Sequence, residues 1–200
     1  YSQVRSSRGY TGANVAEILL RRKGISGRVA VEPIAGSLTD HYDPINYKLR
    51  LSEDVYGSSS IAALGVAAHE TGHAVQHAER YLPLSIREGL VPVVNFSSSL
   101  AFPLFILGII LASTGLVKIG IILFSAVVLF QLVTLPVELN ASRRALAVLQ
   151  SHGFITSSEI DGTRSVLNAA ALTYVASALV GILNLFRLLI LSGAFRGRDD

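Results

Sequence analysis

Leu90 to Val137 reads LVPVVNFSSSLAFPLFILGIILASTGLVKIGIILFSAVVLFQLVTLPV, with Lys118 as its single charge. One bilayer crossing needs about 20 predominantly apolar residues, so the run has room for two. The natural break is AlaSerThrGlyLeuValLys at 112–118, which places one span near 92–112 and another near 116–137. Pro103 and Gly108 fall inside the first span, and membrane helices tolerate both because neighbouring groups re-satisfy the freed backbone. A third uncharged run, Ser165 to Phe186, is rich in Ala, Ser and Gly; small residues suit close helix packing in a bundle. It predicts a third span over about 165–190. A soluble fold is disfavoured, since apolar runs beyond about 18 residues are hard to bury in a small chain.

Composition agrees. Half of the 200 residues are apolar and 16% are charged, against roughly 25% charge in an ordinary soluble domain. Cys is absent, which excludes disulfides, Cys-based metal sites and thiol catalysis together. Any metal must be held by His and carboxylates. The net charge of +3 carries no long basic run and no interleaving of aromatic with basic residues, so nucleic acid is not an expected partner. Position 1 is Tyr and the chain has no Met, so its native start is expected to lie upstream.

The first 60 residues are the polar part. ThrGlyAlaAsn at 11–14 reads as a helix start, Val15, Ile18 and Leu19 give a helical stripe, and Gly24 is a plausible stop. ArgValAlaValGluPro (28–33) and TyrLysLeuArgLeu (47–51) alternate apolar and polar residues on either side of a turn-rich stretch, which predicts a small β-hairpin or sheet. Ser58, Ser59 or Ser60 can cap a helix running to about Arg80. ThrSerSerGlu at 156–159 resembles a capping box before the last long helix, and Gly153 can close the one before it.

The chemistry is concentrated at AlaAlaHisGluThrGlyHisAlaVal, 67–75. This is an HExxH pattern: His69 and His73 lie one helical turn apart on one face, so both imidazoles can reach a single ion at about 2.0–2.1 Å. With five His and eight Glu in the chain, a chance match has a probability of roughly half a percent, so the pattern carries weight. Glu70 follows the first candidate ligand directly and can take a proton from water and pass it to a leaving amine.

A catalytic zinc site takes three protein ligands and leaves one position open. His77 sits about 6 Å further along the helix than His73, too far to share the ion. The metzincin pattern would need glycine at position 76 and histidine at position 79, where this chain has Gln76 and Glu79. Glu138 remains, an acid at the end of a long apolar run, where burial without a partner is costly. That partner is either a metal ion or a guanidinium of Arg143 or Arg144. Parity favours the metal: if 90–137 crosses a membrane twice, His69, His73 and Glu138 emerge on the same side.

These residues resemble the YugP-like family of membrane neutral zinc metallopeptidases along nearly the whole chain. The matching stretches are LTDHYDP (38–44), GVAAHETGHAVQH (65–77), LPVELNASRRA (135–145) and AALTYVA (170–176). The resemblance implies a bacterial membrane protease with one catalytic zinc on His69, His73 and Glu138, and a further transmembrane helix ahead of Tyr1. More remotely the chain is similar to the HtpX-like and CAAX-processing membrane gluzincins. There the ligand Glu is commonly followed four residues on by an Asp that orients a zinc-bound His. Ser142 holds that position here; a hydroxyl can still hydrogen-bond but brings no charge, so the orienting surroundings must differ, with Asn140 or a backbone carbonyl as candidates. The same likeness implies that an edge strand at Ser37, Leu38, Thr39, Asp40 and His41 pairs with an extended substrate backbone; a plain hairpin with turns at Asp40 and Asp43 is the other reading. Tyr174, His41 and Arg143 are the candidate oxyanion donors.

The expected protein is a single domain, 1–200: mainly α, membrane-embedded, zincin-like, with 1–89 and 138–164 as its catalytic part. It is an endopeptidase whose partners are a peptide or protein substrate and the lipid bilayer. The catalytic side carries 13 Lys and Arg, against Lys118, Arg187, Arg196 and Arg198 opposite, which predicts a cytoplasmic site in a bacterial plasma membrane. Two rival readings are a site-2-type intramembrane protease, with Asp161 as third ligand, and a non-catalytic scaffold stapled by a metal.

Overall fold

Thr11 accepts a hydrogen bond from the Asn14 N–H, and the Asn14 side chain accepts one from the Thr11 N–H. This reciprocal cap opens helix α1 (Gly12–Arg22) in a computed structural model that describes residues 1–193. The helix buries Val15, Ala16, Leu19 and Leu20, and Gly24 follows it at φ +69°, a left-handed turn that glycine makes without steric cost.

The alternating stretches form β1 (Ala30–Ile34) and β3 (Lys48–Ser52), with a short β2 (His41–Asp43) between them in sequence. The strand order is β1-β3-β2. A hairpin of the two predicted strands is therefore corrected: β1 runs parallel to β3, with Val31 beside Leu49, and β2 pairs antiparallel to β3, with Tyr42 beside Leu49. Burial explains the central place of β3, because Leu49, Leu51 and Ser52 are all fully covered. The expected edge strand at Ser37–His41 is also corrected. Strand structure begins only at His41, and the chain before it is a bent loop, with Gly36 at φ 97° and Leu38 at φ 58°. Asp40 pins that loop by accepting hydrogen bonds from the Ser52 N–H (2.8 Å) and hydroxyl (2.9 Å).

A short α2 (Glu53–Tyr56) leads to α3 (Ile61–Ala78), whose cap is Ser60: its hydroxyl accepts from the Ala63 N–H. Then come three long helices, α4 (Leu82–Ile110), α5 (Thr114–Ser151) and α6 (Ile160–Leu191), each long and apolar enough to cross a membrane. The fold is thus mainly α, with three candidate spans and a small sheet. α4 begins earlier than the predicted span and carries Pro92 as well as Pro103; α5 continues past Val137, so Glu138 is a mid-helix residue. At 156–159 the Glu159 carboxylate accepts from the Thr156 N–H (2.7 Å), and it also accepts from Ser7 N–H and Oγ–H, tying the N-terminal segment to the start of α6.

The chain divides into two compact units. The first comprises Tyr1–Tyr81 and Val137–Leu172. In it α3 lies between two apolar clusters: Leu64 and Ala68 join Val15, Leu149 and Phe154, while Ala63, Ala67 and Ala74 join Leu20, Leu49 and Leu51. Full burial of each large aliphatic side chain contributes about 1.5–3 kcal/mol. The second unit comprises Leu82–Pro136 and the chain from Thr173. Its core is Ala101, Phe105, Phe124, Val128 and Leu188, and a Cβ at Gly120 would come within 2.8 Å of the Phe105 nitrogen, so glycine permits the close crossing of α4 and α5 there. Arg196 and Arg198 lie outside the described residues.

Candidate metal centre

His69 and His73 project from the same side of α3, their Nε2 atoms 3.1 Å apart. From α5, Glu138 brings Oε2 to 3.2 Å from His69 Nε2 and 3.5 Å from His73 Nε2. Three donor atoms from two helices therefore close a triangle with edges of 3.1–3.5 Å. Ligands at about 2.0–2.1 Å in a tetrahedral shell stand about 3.3–3.4 Å apart, so the triangle fits zinc without rearrangement. Among the described residues this is the group of His, Asp and Glu atoms close enough to hold an ion. Glu138 is 2% exposed, and the two imidazoles facing its carboxylate explain how an acid is tolerated there.

What holds the triangle open toward an ion is the far side of each imidazole. His69 Nδ1 lies 3.1 Å from Ser142 Oγ, and His73 Nδ1 lies 3.0 Å from Gln76 Oε1. With Nδ1–H donating to these oxygens, both Nε2 lone pairs face the centre, as a metal requires. Gln76 is completely buried, and its amide donates to Val137 O (3.0 Å) and Asn140 Oδ1 (2.9 Å). Asn140 thus acts on the histidines through Gln76, while Ser142 meets His69 itself. The weight of Gln76 was not legible from spacing alone; the one signal was an amide three residues after the second His in a largely apolar helix. Close approach of the two helices depends on Gly72, where a Cβ would meet Ala141 O at 3.3 Å and Ala141 Cα at 3.4 Å.

Glu70 is half-buried and follows His69 on α3, and its Oε2 accepts a hydrogen bond from the Tyr42 N–H of β2 at 3.1 Å. Burial pushes its carboxyl up from 4.5 to about 7; the nearby Glu138 and Asp40 charges act in the same direction, and His69 and the Tyr42 N–H oppose it.

The other candidates are placed differently. Both ring nitrogens of His41 are engaged, Nδ1 with Thr39 O at 2.7 Å and Nε2 with Arg50 at 3.3 Å. Ser37 bonds Asp54, and Leu38 is 95% exposed. His77 stacks on Tyr47 and meets the Tyr42 hydroxyl at 2.9 Å, away from the ligand triangle. Arg143 is exposed and turns Nε to Leu139 O, and Arg144 pairs with Glu79, so neither is the partner of Glu138. Tyr174 belongs to the second unit. Asp161, the third ligand in the site-2 reading, is an exposed residue paired with Arg164 at 3.0 Å.

Comparison with known proteins agrees with this arrangement. Residues 1–193 match a family described as "putative neutral zinc metallopeptidase". The chain belongs to this family. It is also 52% identical over 200 residues to the "putative membrane protease YugP" of Bacillus subtilis (strain 168), covering all of this chain and 88% of that protein. No solved structure matches. Membership in a zinc peptidase family makes zinc the metal that the His69, His73 and Glu138 set implies, a choice the two imidazoles and one carboxylate also favour. With three apolar helices and a membrane-protease relative, the chain is a membrane protein.

Proposed function

We propose that the protein is an integral membrane endopeptidase that binds one zinc ion through His69, His73 and Glu138 and uses Glu70 as general base. The observation that carries this reading is the 3.1–3.5 Å triangle of His69 Nε2, His73 Nε2 and Glu138 Oε2, with Glu70 next to it in sequence. Zinc held there supplies Lewis acidity for a peptide carbonyl and makes water a better nucleophile at neutral pH. Glu70 accepts the proton released as water attacks and delivers it to the departing amine. Its hydrogen bond from Tyr42 fixes the carboxylate, and its raised proton affinity suits an acid–base group working near neutrality.

The substrate backbone is assigned to the outer edge of β2 and the Ser37–Asp40 loop that enters it. β2 is the edge strand and carries the N–H that holds Glu70, so a chain laid along it passes the base. His41, Arg143 and Tyr174 are the candidate donors to the oxyanion. Losing the true donor costs about 10²–10³-fold in kcat, so kcat of His41→Ala, Arg143→Gln and Tyr174→Phe separates them. The cationic bias of the side that carries the HExxH helix supports a cytoplasmic site.

The deciding experiment measures zinc content and peptide hydrolysis in Glu70→Gln and Glu138→Ala proteins. Glu70→Gln is expected to keep one equivalent of zinc and lose hydrolysis, and Glu138→Ala to lose the metal. Full activity in Glu70→Gln would reduce the ion to a staple, and unchanged zinc in Glu138→Ala would remove that residue from the ligand set.

A further inference from the structure

Next to the metal centre, α5 and α6 border a pocket of about 340 Å³ within the first unit; Ser142, which meets His69 on its other side, and Arg143 line it from α5, and Arg164 lines it from α6. Leu139, Leu146, Leu167 and Ala171 make its lining mostly apolar. The Arg143 Nε is turned to the Leu139 carbonyl at 3.3 Å, and Arg164 pairs with Asp161, whose side chain is 88% exposed. Two guanidiniums against one solvent-facing acid leave a positive excess at the pocket. Both arginines also stand at boundaries in the sequence. Arg143 is the first basic residue after Lys118 along α5, and Arg164 immediately precedes the uncharged run from Ser165 to Phe186 on α6. Leu172, beside Ala171, is 63% exposed, as expected of a residue facing acyl chains.

We propose that this pocket holds the headgroup of an anionic phospholipid, with its phosphate between Arg143 and Arg164 and the start of an acyl chain along Leu139 and Ala171. Basic pockets between membrane helices attract anionic headgroups, and guanidinium matches phosphate through paired, charge-assisted hydrogen bonds. The apolar lining beneath the two cations separates this occupant from a free phosphate ion, which has no use for it. The proposal does not depend on the protease reading.

Native mass spectrometry of the full chain in detergent, titrated with phosphatidylglycerol or phosphatidylcholine, tests it. One phosphatidylglycerol is expected to be retained in preference to phosphatidylcholine. A basic residue near an anionic surface is worth about 1 kcal/mol, about fivefold in affinity, so Arg143→Gln with Arg164→Gln should weaken retention by about 25-fold. The charge-matched pair Arg21→Gln and Arg22→Gln, at exposed positions ending α1, should leave it within about twofold. Asp161→Asn should tighten retention by releasing Arg164. Asn168→Trp, at an exposed lining position, should block the lipid with every cation in place, and it decides the matter if the double arginine variant fails to fold. Equal retention of the two lipids, equal loss in the α1 pair, or glycerol 3-phosphate binding as tightly as the lipid would overturn the proposal: the first two mean diffuse or absent attraction, the third a soluble phosphate ligand.

Discussion

Gln76 spends its whole amide on the centre, accepting from His73 and donating to Val137 O and Asn140 Oδ1. Replacing it by leucine leaves the His73 Nδ1–H without its acceptor in a buried site, which costs about 1–3 kcal/mol, and loss of such an orienting partner typically weakens metal binding about 10–100-fold. Chelator competition should therefore show zinc affinity falling in that range for Gln76→Leu, and less for Ser142→Ala, because the serine hydroxyl meets only His69 whereas the Gln76 amide also ties α3 to Val137 O and Asn140. Glu70 makes a second prediction. Its carboxyl titrates at 4.5 when unperturbed and at about 7 in the folded chain. Between those pH values the folded metal-free protein binds a proton that the unfolded chain has released, so stability falls as pH rises across the window. Glu70→Gln should flatten that slope in thermal melts of the metal-free protein. Spacing made His69, Glu70 and His73 readable as candidates because two His four apart share one helix face and an acid directly follows the first. Gln76 was not, since its role arises from acceptors more than sixty positions away along the chain.

At the level of elements, the contact that matters is α3 against α5 at Gly72. Gly72→Val adds bulk against the Ala141 backbone, where even one Cβ would be tight. Overpacking of this kind costs about 1–3 kcal/mol, and it should also widen the distance from the two imidazoles to Glu138. Zinc affinity is expected to fall at least tenfold, about 1.4 kcal/mol, while Gly24→Ala, at the remote end of α1, should lower stability without changing metal binding. Helix ends were legible wherever a capping side chain or a left-handed glycine closes them, as at Thr11, Ser60 and Gly153. The sheet was less so. Alternation marks β1 and β3 as strands, yet nothing in a period of two says whether neighbours run parallel, and β2 is too short to show a period. The start of α4 at Leu82 was hidden by Arg87 and Glu88, which interrupt the apolar run without interrupting the helix.

Across the whole molecule, composition announced the membrane character, because runs of this length have few soluble alternatives. The proposed cytoplasmic orientation is directly testable, since the chain lacks Cys. A single cysteine at Glu17, exposed on α1, should react with a membrane-impermeant maleimide only after cells are opened; one at Ala112, in the exposed turn between α4 and α5, should react in intact cells. The reverse pattern would put the centre outside. The first unit is also discontinuous: the chain leaves it after Tyr81 and re-enters at Val137. During synthesis, then, a ribosome that has finished the HExxH helix has made two of the three proposed donors, and must still deliver a complete hairpin before Glu138 exists. Under the proposed function a nascent chain would hold no complete zinc site until its own insertion is nearly done, so the order of the segments would work as a safety interlock.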